Sequence, residues 1–298
     1  MKNVMKIMLT AALLASTATV AIADGARIAV IGGKSDDAFF AKIKKGIDDG
    51  ALVAKAHGSS VSYLQLQTYD NIGGDAANLI RTAISQHASI IAAPDWVGDS
   101  EDEAYKAATA AGIPVLLYNA GGAYFATHGS KNVICVNTVP GAGNLEARCK
   151  GVADGISKEG GKSTQLPLPA SSFGNPTAVA EAIKATLLKD PKIDGVVTIS
   201  AGDADSAANG IQQAGATAKV KLGTFDMNET NLDRIKDGTQ LFAIDQQPWL
   251  QGFLAVTLSD GFVNYGLKTA TPVILTGPGI VDSSNIDATL AGAKAGYR

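Results

Sequence analysis

Cysteine is almost absent, histidine is scarce, basic residues never cluster, and beyond the first 23 residues no apolar run approaches the roughly 20 residues a membrane-spanning helix needs. Each shortage excludes something. The two cysteines are Cys135 and Cys149, and the three histidines, His57, His87 and His128, lie far apart and pair with neither of them. A zinc site therefore has no ligand set, and no metal is expected. Lysine and arginine total 25 against 28 aspartates and glutamates, without a basic patch, so nucleic acid and anionic lipid are not expected partners. Catalytic motifs are missing as well. No Gly-x-Ser-x-Gly elbow occurs, and no histidine falls at the end of an expected strand to serve as a base. Gly-Lys-Ser appears at 33–35 and 161–163, but Ile28 and Ile156 stand where a phosphate-binding loop requires glycine. The chain is expected to be neither an enzyme nor the carrier of a cofactor. A charged fraction of 18% beside an apolar fraction of 46% excludes extensive disorder.

What is present begins with an export signal. Lys2 and Lys6 precede the apolar run Ile7 to Val20, and Ala21-Ile22-Ala23 supplies the small-x-small pattern of a cleavage site. Residues 1–23 are read as a signal peptide, with an uncleaved anchor as the alternative, and the mature protein is expected in a Gram-negative periplasm. No cysteine near the cleavage site offers a lipid anchor. Removing Lys2 and Lys6 moves the net charge from -3 to -5. Export makes a disulfide possible: Cys135 falls in an apolar strand and Cys149 in the helix after the next loop. Two free buried thiols are the alternative, because spacing does not fix the geometry a bridge requires.

The mature length exceeds what one hydrophobic core usually covers, so two lobes are expected. Short apolar runs alternate with amphipathic ones: strands at Arg27–Gly32, Val61–Gln65, Ser89–Ala93 and Pro114–Tyr118, with helical spacing between them. A second series follows, with strands at Asn132–Asn137, Thr164–Leu168, Gly195–Ile199, Lys219–Phe225 and Gln240–Ile244, then a helix over Leu250–Asn264 and a strand at Pro272–Leu275. The fold class is α/β: two doubly wound parallel-sheet lobes. Residues 24–119 with 247–275 make the first, and 120–246 with 276–298 the second.

Ligands in such sheets bind beyond the carboxyl ends of the strands. Those positions hold Lys34, Asp37, Phe39 and Phe40, then Asp95 and Trp96, then Asn119 in the first lobe; Asn144, Arg148, Phe173, Asp203, Asp226 and Gln246 occupy them in the second. Carboxylates and amides beside aromatic rings suit a polyhydroxylated ligand, with rings covering C–H surface and polar groups taking hydroxyls. Asp36 is expected to cap the first helix and Asp37 to bind; Phe40 could equally belong to the core. On this reading, Asp226→Ala and Arg148→Ala should weaken binding and leave unfolding of the ligand-free protein nearly unchanged.

The order of Asp37-Ala38-Phe39-Phe40, Glu146-Ala147-Arg148, Phe225-Asp226 and Asp245-Gln246-Gln247-Pro248 resembles the periplasmic sugar-binding family of ribose- and galactose-binding proteins, over essentially Asp24 to Leu275. The resemblance implies a type I periplasmic binding protein with a three-segment hinge near Asn119, Gln246 and Leu275. It also implies a monosaccharide or sugar alcohol as ligand, and delivery to the permease of an ABC importer by a monomer. Phe39 and Phe40 would stack on the sugar, while Asp37, Arg148, Asp226 and Gln246 would bond its hydroxyls. The chain departs from the family in having Ala201-Gly202-Asp203 where Asn-Asp is usual, Ala38 in place of proline, and Trp96 where small polar residues are common. Two other readings stay open. A periplasmic sugar sensor would use the same body, and a glycoside hydrolase would use a carboxylate pair from Asp37, Asp95 and Asp226.

Overall fold

The structure, a computed structural model, describes residues 25–94, 96, 99–118, 130–271 and 273–298. The expected signal peptide lies outside the described residues. Two sheets form, and each is built the same way. In the first, strands β1 (Arg27–Gly32), β2 (Ser60–Gln65), β3 (Ile90–Pro94) and β4 (Val115–Tyr118) are parallel in the order β2-β1-β3-β4. In the second, β5 (Asn132–Asn137), β6 (Lys162–Pro167), β7 (Gly195–Thr198), β8 (Lys221–Phe225) and β9 (Phe242–Asp245) are parallel, in the order β6-β5-β7-β8-β9. Chain order reverses between β1 and β3 and again between β5 and β7. Each reversal opens a crevice at the carboxyl ends of the strands, where helices leave in opposite directions.

The central strands are apolar along their whole length because helices cover both faces. All five residues of β3 are buried, as are the last five of β1. The helices of the first half are α1 (Ala38–Ala56), α2 (Ile72–Ser85) and α3 (Asp99–Ala110). The second half adds α4 (Gly143–Lys158), α5 (Pro176–Lys189), α6 (Ala201–Gln213) and α7 (Glu229–Asp237). After β9 the chain returns to the first lobe as α8 (Pro248–Tyr265), which lies against α1. Glycine makes that contact possible. A Cβ on Gly46 would stand 2.0 Å from the Trp249 carbonyl oxygen, and one on Gly252 would stand 2.1 Å from that of Ile43, so the two backbones touch. This packing fixes where the β9–α8 crossing, and hence Gln246, sits.

Two sequence expectations fail here. Residues 273–275 form no strand, and Val273, Ile274 and Leu275 are exposed. A β-branched run becomes a strand only where a sheet edge accepts it. The last strand is instead β10 (Gly279–Val281), antiparallel to β9 on the second sheet, followed by α9 (Ile286–Lys294) against α7. Both escaped the sequence reading because neither carries a long apolar pattern. In addition, Asp37 rather than Asp36 caps α1, its carboxylate accepting from the Phe39 N–H at 2.8 Å. Asp36 faces solvent.

Candidate functional site

The lobes are closed on one another. The Gly143 N–H at the start of α4 donates to the Trp96 carbonyl after β3 at 2.5 Å, and Val139, Ala142, Leu145 and Phe173 of the second lobe pack on the apolar core of the first. Between the carboxyl edges of the two sheets lies a cavity of about 360 Å³, and beside it, sharing the walls Asp37, Phe39, Phe173, Ser200 and Asp226, a smaller one of about 70 Å³. The larger volume lies at the lower end of the range for small-molecule pockets.

The wall from the second lobe is a connected polar network. Arg148, buried on α4, donates to the Ile199 carbonyl at 2.6 Å and to Gln246 Oε1 at 2.9 Å, and stands 3.5 Å from the Asp226 carboxylate. The Phe225 ring lies beneath its guanidinium, 5.0 Å from centroid to carbon. Gln246 in turn donates its amide to Asp226. Burial pushes the Asp226 carboxyl up and the Arg148 guanidinium down from their ordinary ranges, and each charge partly offsets the shift of the other. Asp226 also sits at φ +62°, a left-handed conformation that aspartate tolerates better than most residues. On the neighbouring strand end, Asp203 is buried at the start of α6. It accepts from Thr138 Oγ1 at 2.8 Å, and desolvation raises its pKa to about 6.

The wall from the first lobe is aromatic. Phe39 is half-buried and lines both cavities; Phe40 turns inward, 5% exposed, and packs edge-on against Phe39 and Trp96. Asp37 lies beside them with one oxygen on the helix end and the other accepting from the Tyr69 hydroxyl at 2.6 Å. Burial raises its pKa too. Trp96, 3% exposed, borders the smaller cavity, and so does Asn144, with a buried Oδ1 that has no hydrogen-bond partner among the described residues.

Of the residues the sequence singled out, Asp37, Phe39, Phe173, Asp203, Asp226 and Gln246 border the larger cavity. Phe40, Trp96, Asn144 and Arg148 border the smaller. Lys34 borders neither: its ammonium turns to Asp36 at 3.3 Å. Asp95 and Asn119 lie outside the described residues. Cys135 and Cys149 form a disulfide with a Cα–Cα distance of 5.5 Å. The sequence reading missed Tyr69 and Lys42. Tyr69 follows β2, a strand end like the others, and that position was the available signal. Lys42 lies one helical turn beyond Phe39, where it reads as a surface lysine.

Known proteins share this arrangement. Residues 122–265 match the family model described as a periplasmic binding protein domain. A solved carbohydrate transporter from Acidothermus cellulolyticus, in complex with myo-inositol, is 30% identical, covers 92% of this chain and 100% of its own, and superposes with a TM-score of 0.80. The xylose/arabinose-binding protein XylF of Sulfolobus acidocaldarius is 25% identical over 90% of this chain and 74% of its own. The myo-inositol-binding protein of Caulobacter, 21% identical over 89% of this chain and 96% of its own, shares the fold with a TM-score of 0.73. With two lobes of parallel sheet and this likeness along nearly its whole length, the chain belongs to the periplasmic sugar-binding protein family, the solute-binding proteins of ABC transporters.

Proposed function

We propose that the protein captures a neutral monosaccharide or sugar alcohol between its lobes and delivers it to the membrane permease of an ABC importer. It works as a periplasmic monomer from which residues 1–23 have been removed. The observation that carries this reading is the Arg148–Gln246–Asp226 network on one lobe, whose members border the same two cavities as Phe39 and Asp37 of the other. Ring faces cover C–H surface while the network supplies both donors and acceptors to hydroxyls, and hydrogen bonds to charged groups contribute about 1.5–3 kcal/mol each. Carboxylates predominate along the larger cavity, with Asp37, Asp203, Asp226 and Asp245 against Lys42 and Arg298, which disfavours an acidic ligand. That the relatives above bind myo-inositol or pentoses agrees with this class.

The lobes are assigned as 24–119 with 247–275 and 120–246 with 276–298. The hinge is assigned to chain crossings near Asn119, which lies outside the described residues, Gln246 and Leu275. A ligand touching both walls favours the closed state by its differential affinity for it, and closure presents surfaces of both lobes to the permease. A thermal-shift screen over pentoses, hexoses, polyols and acidic sugars, followed by calorimetric titration, tests the reading. A neutral member is expected to raise the melting temperature. No response from any of them, or turnover of a glycoside, would remove it.

A further inference from the structure

One cation in the cavity is incompletely satisfied. Lys42, on α1 of the first lobe, donates from Nζ to the Met227 carbonyl oxygen at 2.7 Å, just beyond β8 of the second lobe. An ammonium has three N–H donors. Among the described residues the other two meet no acceptor, although the side chain lines the larger cavity and is half-buried. Withdrawal from water disfavours its charge, while the nearby Asp226 and Asp245 carboxylates sustain it. A partly desolvated ammonium with idle donors calls for acceptors in the space it faces.

Its position defines what those acceptors belong to. Phe39 lies three residues earlier on α1, so ring and ammonium share one helix face. Met227 follows Asp226 directly, so the bond that Lys42 makes across the cleft ends beside the Arg148–Asp226 pair. That bond needs α1 and the end of β8 to be apposed, and it exists only while the lobes are shut. We propose that Lys42 is a ligand-contacting residue that couples capture to closure: one N–H holds the second lobe, and the others take hydroxyl oxygens of a polyol lying on Phe39. The proposal rests on the sugar-binding reading of the same cavity and adds to it a contact from the first lobe that requires a closed cleft.

The test compares wild-type protein with Lys42→Met, which keeps the length of the side chain and removes its donors. Both are titrated calorimetrically with D-xylose, L-arabinose, D-galactose and myo-inositol. In parallel, fluorescent labels at Arg81→Cys and Glu181→Cys, exposed positions on α2 and α5, report lobe separation without ligand. Lys42→Met is expected to raise Kd roughly 10- to 100-fold, the equivalent of one charged hydrogen bond, and to shift the ligand-free protein toward the open state. Its apo melting temperature should stay near that of wild type. Unchanged affinity for a sugar that the wild type binds, or unchanged lobe separation, would overturn the role of Lys42. A wild-type protein that binds none of the four sugars would instead count against the sugar reading itself, and the label measurement would still report on closure.

Discussion

Arg148 and Asp226 face each other at 3.5 Å with only 6% and 11% of their side chains exposed, and both belong to the second lobe. Gln246, also of the second lobe, ties them together, so the network draws every member from one lobe. It is a half-site. The burial of the pair revises the sequence-based expectation that alanine at either position spares the ligand-free protein. Removing one partner of a buried ion pair leaves the other uncompensated, at a cost of about 3–5 kcal/mol.

Asp226→Ala should therefore lower the apo melting temperature by several degrees as well as abolish tight sugar binding. The left-handed backbone at this position adds to the penalty for alanine. Asp226→Asn keeps an acceptor and tolerates the conformation, so it should recover much of the stability and little of the affinity. Scanning calorimetry and titration of the two variants separate these effects; equal melting temperatures for Ala and Asn would contradict the argument.

Phe39 and Phe40 are neighbours with different tasks. Phe39→Ala removes the ring that borders the cavity and should weaken binding about 10-fold or more with a modest change in stability, because aromatic contacts contribute ~0.5–1.5 kcal/mol beyond buried area. Phe40→Ala empties a site packed between Trp96 and the strands and should destabilise by about 3–5 kcal/mol. Urea titration of both variants checks the order. A larger loss for Phe39 would reverse the assignment.

These two rings show how far the sequence could be read. The alternation of strand and helix patterns located β1 to β9 and α8 to within a few residues, since buried parallel strands and amphipathic helices have distinct periods. Strand ends then pointed to the cavity. What could not be read depends on long-range contact. Whether Phe39 or Phe40 turns inward is decided by Trp96, and whether residues 273–275 pair is decided by which sheet edge is open. Lys42 acquires meaning only from a carbonyl 185 positions away.

Asp203 makes stability depend on pH. Its carboxyl titrates near 6 in the folded protein against a reference of 3.8, because burial disfavours the ion. The folded state thus holds the proton more tightly. Its contribution to stability is fully present below the unfolded value and is lost as pH rises through 6. At pH 7 the ionised group opposes folding by about 3 kcal/mol, at ~1.36 kcal/mol per unit. Asp203→Asn should raise the apo melting temperature at pH 7 and flatten its rise between pH 7 and pH 5, with Thr138 still donating to the amide oxygen. Thermal unfolding across that window reads both effects, and an undiminished slope would exclude Asp203 as the source.

The Cys135–Cys149 bridge links β5 to α4, the strand and helix that bring Arg148 to the cavity. Its sequence separation of 14 residues corresponds to about 3 kcal/mol of loop-closure entropy removed from the unfolded chain. Cys149 lies one residue beyond Arg148, and Ile199, whose carbonyl Arg148 holds, packs in the same small apolar cluster as the disulfide. Reduction should therefore act on binding as well as on stability, by loosening α4 against β5. The variant Cys135→Ala/Cys149→Ala is expected to melt several degrees lower and to bind sugar more weakly, chiefly through faster dissociation, because the geometry of Arg148 is less well held. Stopped-flow release measured with and without a reductant distinguishes this from a purely global effect: a dissociation rate that stays constant well below the melting transition would confine the bridge to stability alone.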